Sequence, residues 1–186
     1  MSTLVQSTQK TKLSVKTQIF AALGAIVAAI ILPQIFHAVG AVSGLGTALG
    51  ETFLPMHLPI LLVGLLAGPI AGATAGAISP VISFLTTGMP LSAMLPFMVI
   101  EFCAYGWISG LFRRSSLPTF VRLLIAQIGG RALRAIAILI AVYTGVSTSV
   151  PISVIWTSIA IGLPGILLQW ALLPLLTYRI EGKVRK

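Results

Sequence analysis

Four ionisable residues stand where ionisable residues are costly. Glu101, Arg131, Arg134 and His57 each fall inside a long apolar run of this chain. A charge within a hydrocarbon-spanning segment costs several kcal/mol unless it is paired or hydrated, so each is a functional hypothesis by default. Arg131 and Arg134 are three residues apart and share one face of a helix, roughly 14 and 18 Å beyond Arg122 at the helical rise. One carboxylate facing two guanidinium groups supports two readings. Glu101 pairs with one arginine and fixes helix register, or the surplus positive charge receives an anionic or strongly polar ligand group. His57 lies in Leu54-Pro55-Met56-His57-Leu58-Pro59, where an interhelical hydrogen bond and a ligand contact are equally open.

Aromatic residues gather in the same segments: Phe97, Phe102, Tyr105 and Trp107 near Glu101, and Trp156 and Trp170 in the last run. Trp107 and Trp170 suit an interfacial belt, whereas Trp156, close to the opposite face, suits the cap of a pocket, with Tyr105 as a further lining residue. Catalytic signatures are missing. The chain holds no Gly-x-Ser-x-Gly elbow, no His-Glu-x-x-His and no phosphate-cradling Gly-x-x-x-x-Gly-Lys-Ser/Thr, so an enzyme is not expected. His37 and His57 with Glu51 make a poor metal site, and neither metal nor cofactor is expected. Cys103 is the only cysteine, which rules out a disulfide within the chain and reads as a small buried hydrophobe.

The elements that position these groups follow from composition. Of 186 residues 57% are hydrophobic and only 8% charged, with a mean hydropathy of +1.06. A soluble domain carries nearer a quarter charged. Since one span takes roughly 20 residues, the chain has room for about six. The predicted fold is all-α and integral to the membrane, a compact bundle of six transmembrane helices over residues 14–178. The spans are placed at 14–36, 51–68, 71–87, 91–112, 119–143 and 151–178. Pro33 marks the end of the first. Residues 37–50, Gly-rich and uncharged, are expected as a loop or re-entrant turn, 1–13 as a cytoplasmic tail and 179–186 as a basic cytoplasmic tail. The first run is longer than the core of a signal peptide and is expected to be retained.

The net charge of +9 comes from twelve Lys and Arg against three carboxylates. Lys10, Lys12, Lys16, Arg113, Arg114, Arg179, Lys183, Arg185 and Lys186 fall in or beside segments on one side of a six-span arrangement, and Arg122 snorkels to that same surface. The opposite loops carry no Lys or Arg. This asymmetry places both termini in the cytoplasm and argues against a nucleic-acid partner, which needs a solvated basic face. Helices in lipid associate closely through small residues. Ala21, Ala25 and Ala29, with Gly24 and Ala28 beside them, form such a stripe, open to internal packing or to docking of a partner. Gly72, Ala73, Gly76 and Ala77 suit packing within the bundle. The break between Pro55 and Pro59 frees backbone groups, tolerated where they line a cavity. An outward-facing pocket under 37–50, built from the second, fourth, fifth and sixth spans, is therefore expected.

The stretch from Phe53 to Leu62, followed by Gly64, Gly68-Pro69, Ser79-Pro80 and Leu85-Thr86-Thr87-Gly88-Met89-Pro90, resembles the substrate-binding S components of energy-coupling factor (ECF) vitamin transporters. Glu101-Phe102-Cys103-Ala104-Tyr105-Gly106 and Gly130-Arg131 add to the likeness, which covers about 14–178. The resemblance implies a multi-pass protein of a prokaryotic plasma membrane that binds a vitamin-like small molecule at the extracellular side. It also implies a transmembrane scaffold subunit, docked through Ala21, Ala25 and Ala29, and two ATPase subunits that supply the power the chain itself lacks. Surplus arginine suits pantothenate, folate or a phosphorylated pyridine, while cobalamin is also used by the family. A different class of reading is a stand-alone channel or proton-coupled carrier relaying through Glu101, His57, Arg131 and Arg134. The internal repeats common in such carriers are not found.

Overall fold

The computed structural model describes residues 13–146 and 149–184, with the side chains of 182–184 left aside. The tail expected at 1–13 lies outside the described residues except for Leu13, as do Arg185 and Lys186.

Six segments are long and apolar enough to cross a membrane: Val15–Ser43, Ala48–Ala67, Pro69–Thr87, Leu95–Arg114, Thr119–Tyr143 and Leu163–Glu181. The described residues form eight α-helices: α1 (Val15–Ser43), α2 (Ala48–Phe53), α3 (His57–Ala67), α4 (Pro69–Thr87), α5 (Leu95–Leu111), α6 (Thr119–Tyr143), α7 (Val154–Ile161), which precedes the sixth segment, and α8 (Leu163–Val184). No strand occurs among the described residues. The all-α, six-span expectation holds, and two of the stretches expected as spans are interrupted.

Local chemistry explains the boundaries. Ser14 caps α1 by accepting from the Thr17 N–H at 3.1 Å. Pro33, expected from sequence to end the first span, does not end α1. It sits inside a helix that continues for another ten residues to Ser43, so most of 37–50 is helical rather than a loop. The uncharged run after Pro33 contains nothing else to stop a helix. The stop comes at Gly44, in the left-handed region at φ 76°, and Gly40 accepts backbone bonds from Leu45 and Gly46. A Cβ on Gly40 would fall 2.0 Å from the Gly46 carbonyl oxygen, so this turn demands glycine there.

The second span breaks between α2 and α3, where Leu54 takes φ 50°, a conformation costly for a residue with a Cβ. The stretch expected as the sixth span, 151–178, breaks at Gly162 between α7 and α8, so that the span itself starts at Leu163. The segment expected as a free basic tail from 179 continues α8 as far as Val184.

The helices alternate in direction, so one end of the bundle gathers the start of α1, the α3–α4 and α5–α6 turns and the end of α8. That end is tied by side chains reaching backbone. Arg113 Nε donates to the Leu66 carbonyl at 2.6 Å, while Arg122 donates to the Arg113 carbonyl at 3.4 Å and to Thr119 Oγ1 at 2.9 Å. In mid-bundle, Trp170 Nε1 donates to Gln127 Oε1 and Gln127 Nε2 to Gln169 Oε1, each at 2.7 Å. Trp170, expected as a belt residue, is thus anchored into the interior.

The alanine stripe on α1 is corrected by the packing. Ala25 is 8% exposed and Ala29 is fully buried, and with Ala21 beside them they lie against α3 and α4 in clusters with Val63, Ala67, Ala71 and Ala75. Ala21, Ala25 and Ala29 therefore face inward, and that face is already covered. The outward face of α1 presents Phe20, Gly24, Val27 and Ile31 instead. The reason is that α4 brings its own small residues, Ala71 and Ala75, to meet them.

Candidate functional site

At the end of the bundle opposite the arginine ties lies a cavity of about 370 Å³. Its wall is assembled from the interruptions just described. Pro33 and His37 come from α1, Gly50 and Glu51 from α2, Leu54, Pro55 and Met56 from the break, and His57 from the start of α3. Ser83 on α4 and the Met89–Met94 connection close another side, and Thr157 and Ser158 on α7 face them. The volume sits at the low end of the range for small-molecule sites, with a mostly apolar lining and few convergent polar groups, as such sites have.

The polar groups converge on α5 and α6. Glu101 is 1% exposed. Its Oε2 pairs with Arg134 Nη1 at 3.0 Å and its Oε1 accepts from the Tyr105 hydroxyl at 2.7 Å. The four-residue spacing places Glu101 and Tyr105 on one face of α5, one turn apart. Arg134 Nη1 also donates to Ser158 Oγ at 3.4 Å, which ties α6 to α7. Gly130 lets α6 come this close, because a Cβ there would meet the Tyr105 ring at 2.3 Å. Arg131, one residue further, lines the same cavity. Among the described residues no carboxylate pairs with it, and its Nε is buried without a hydrogen-bond partner. His57 is wedged edge-on against Phe102 at 4.5 Å between centroids and tilted against Tyr105 at 5.4 Å.

Of the residues expected at the site, His57, Glu101, Arg131 and Arg134 line the cavity. Tyr105 does not line it. Fully buried, it stands behind Glu101 and holds that carboxylate in place. Trp156 does not cap the pocket. It is 72% exposed on the outer side of α7, and its neighbours Thr157 and Ser158 face inward in its stead, a consequence of the 100° step between helical residues. The structural reading of Glu101 is met by Arg134, its partner at 3.0 Å, while Arg131 lines the cavity with no carboxylate paired to it among the described residues.

Sequence reasoning missed the methionines. Met56, Met89, Met94 and Met98 all line the cavity, so four of the five in the chain collect there. A flexible, polarisable side chain adapts to an irregular ligand surface, and the confinement of these four to 56–98 was a readable signal. Among the described residues no cluster of three or more His, Cys, Asp or Glu suits a metal ion.

No curated protein and no solved structure matches the chain. A family model does. The substrate-specific component of ECF transporters matches over residues 12–177, which takes in five spans, most of the sixth and every cavity residue named above. A multi-pass bundle, closed by backbone ties at one end and hollowed at the other around buried charge, agrees with that match: the chain belongs to the family of ECF transporter substrate-specific components.

Proposed function

We propose that the chain is the ligand-capturing subunit of an ATP-driven importer for a vitamin or related micronutrient in a prokaryotic plasma membrane. Its cavity opens outward and both termini lie inside. The observation that carries this reading is a cavity confined to one end. Below it Leu61, Leu65, Phe102, Tyr105, Leu123 and Ala126 are all fully buried and packed together, leaving no passage to the far end. A closed floor speaks against an open channel, and the family match supports a reading in which partner subunits, a scaffold and two ATPases, move the ligand across the bilayer. Arg113, Arg114, Arg122 and Arg179 all belong to the end away from the cavity, which by the distribution of positive charge is the cytoplasmic one.

With Ala21, Ala25 and Ala29 turned inward, docking on the scaffold is assigned to the outward face of α1. There a Cβ on Gly24 would meet nothing within 4 Å, and Ala28 follows at four-residue spacing. That spacing of small residues permits close approach of a second helix. Gly24→Trp is expected to abolish ATP-dependent uptake in cells while leaving folding and ligand binding by the isolated subunit intact. Uptake at the wild-type rate by that variant would remove the α1 docking face. Accumulation of solute by the chain alone in ATP-free vesicles would instead establish the stand-alone carrier.

A further inference from the structure

Given an extracellular binding role for the cavity, the geometry points to the class of ligand it takes: a monoanion, with a single carboxylate on a compact and largely apolar body, received by Arg131. The inference rests on the binding-subunit reading and adds the charge, the number of charges and the receptor.

Charge balance inside the cavity decides the sign. Arg134 is neutralised by Glu101 at 3.0 Å, and Tyr105 occupies the other carboxylate oxygen. Glu101's single negative charge is thus matched by Arg134, and among the described residues neither an ion pair nor a hydrogen bond joins Glu101 to Arg131. Arg131 lines the same space with its Nε buried and unsatisfied. Glu51 also lines the cavity, but it is exposed at the rim and receives the Thr47 hydroxyl at 3.3 Å. Water screens a charge in that position, so Glu51 does not cancel Arg131 in the interior.

One uncompensated cation asks for one negative charge. A cationic ligand would face two guanidinium groups. A neutral ligand would displace water from Arg131 and leave it unpaired, and a desolvated charge without a partner is the most expensive arrangement available. A phosphate dianion would exchange one unpaired charge for another. A carboxylate closes the account and suits the planar fork of arginine geometrically. Most of the remaining lining is apolar, four methionines with Pro33, Leu54 and Val154 among it, and calls for a largely apolar body, with Ser83, Thr157 and Ser158 placed to meet a few neutral polar groups; about 370 Å³ suits a compact ligand.

The carboxylate has a consequence for the empty protein. Arg131 is a charge held ready for a guest, so Arg131→Met leaves the ligand-free protein at least as stable as wild type. A structural arginine behaves in the opposite way.

The test uses three probes with one apolar chain, hexanoate, hexanamide and hexyl phosphate, at equal ionic strength. Each is added to the purified full-length chain in detergent and the melting temperature is followed. Hexanoate is expected to raise it by about 2–4 °C relative to hexanamide, with hexyl phosphate below hexanoate. The hexanoate advantage is expected to vanish in Arg131→Met and to persist in Arg114→Gln, which removes an exposed positive charge at the opposite end. Equal shifts from hexanoate and hexanamide overturn the proposal, as does a larger shift from hexyl phosphate or an advantage that survives in Arg131→Met. If Arg131→Met does not fold, Arg131 is structural and the proposal fails on that ground also. Loss of the proposal by any of these routes leaves the subunit reading standing wherever Gly24→Trp still separates uptake from binding.

Discussion

The seam between α4 and α5 and the cavity wall use opposite ways of placing helices beside one another. Along the seam, backbone meets backbone. A Cβ on Gly72 would lie 2.2 Å from the Gly106 carbonyl oxygen, one on Gly106 2.0 Å from the Gly72 oxygen, and one on Gly76 2.1 Å from the Phe102 oxygen. Gly110 against Pro69 extends the same contact toward the end away from the cavity, and Gly64 on α3 lies close against Ser109 of α5 beside it. At the cavity, large side chains stand between helices and leave space. In lipid there is no hydrophobic force between apolar helices, so the seam gains its stability from close van der Waals contact. The cavity forgoes that contact, and its wall depends on a few polar bonds: Glu101 with Arg134, and Arg134 with Ser158. Rigidity and hollowness are thus separated along the bundle axis, and α5 takes part in both.

The largest effect is expected where the seam is broken. Gly106→Leu drives a side chain into the α4 backbone, which cannot yield, and the loss should exceed about 4 kcal/mol, the range of severe core disruption. The measurement is the yield of monodisperse protein in detergent; a normal yield would show that α4 and α5 have slack. Arg134→Met comes next. It strands Glu101 in a buried site, a change that costs roughly 3–5 kcal/mol when one partner of a buried pair is removed. Adding Glu101→Gln should recover a large part of the lost melting temperature. No recovery would mean that the Ser158 tie, rather than the ion pair, is what Arg134 contributes. The smallest effect is expected at Trp156. With the ring outside the cavity, Trp156→Ala should stay within about 0.5 kcal/mol of wild type and leave ligand affinity unchanged; a tenfold loss of affinity would return it to the site.

Much of this division could be read in the sequence. The six spans follow from charge scarcity, and the buried cluster of Glu101 with Arg131 and Arg134 follows from the cost of ionisable groups in lipid. Helical spacing shows which residues share a face, but it does not say what the face meets. That is why the sequence leaves the stripe of Ala21, Ala25 and Ala29 open between internal packing and docking and only the fold shows what it meets, and why Trp156, expected at the pocket, gives way there to its neighbours Thr157 and Ser158. Pro33 misled because in lipid a proline bends or interrupts the bonding of a helix without ending it when no water competes for the freed carbonyl. The partition of duty between Arg131 and Arg134 is tertiary information. It depends on α7 bringing Ser158 to one arginine and not the other.

The two interrupted stretches touch at their breaks. Leu54 Cδ1 lies where a Cβ on Gly162 would stand, at 2.8 Å, and a Cβ on Gly165 would meet the Phe53 carbonyl at 2.6 Å. The short helices α2 and α7 therefore share one pivot. At the mouth of the cavity neither short helix can be displaced without a matching adjustment of the other, because each packs against the other's break.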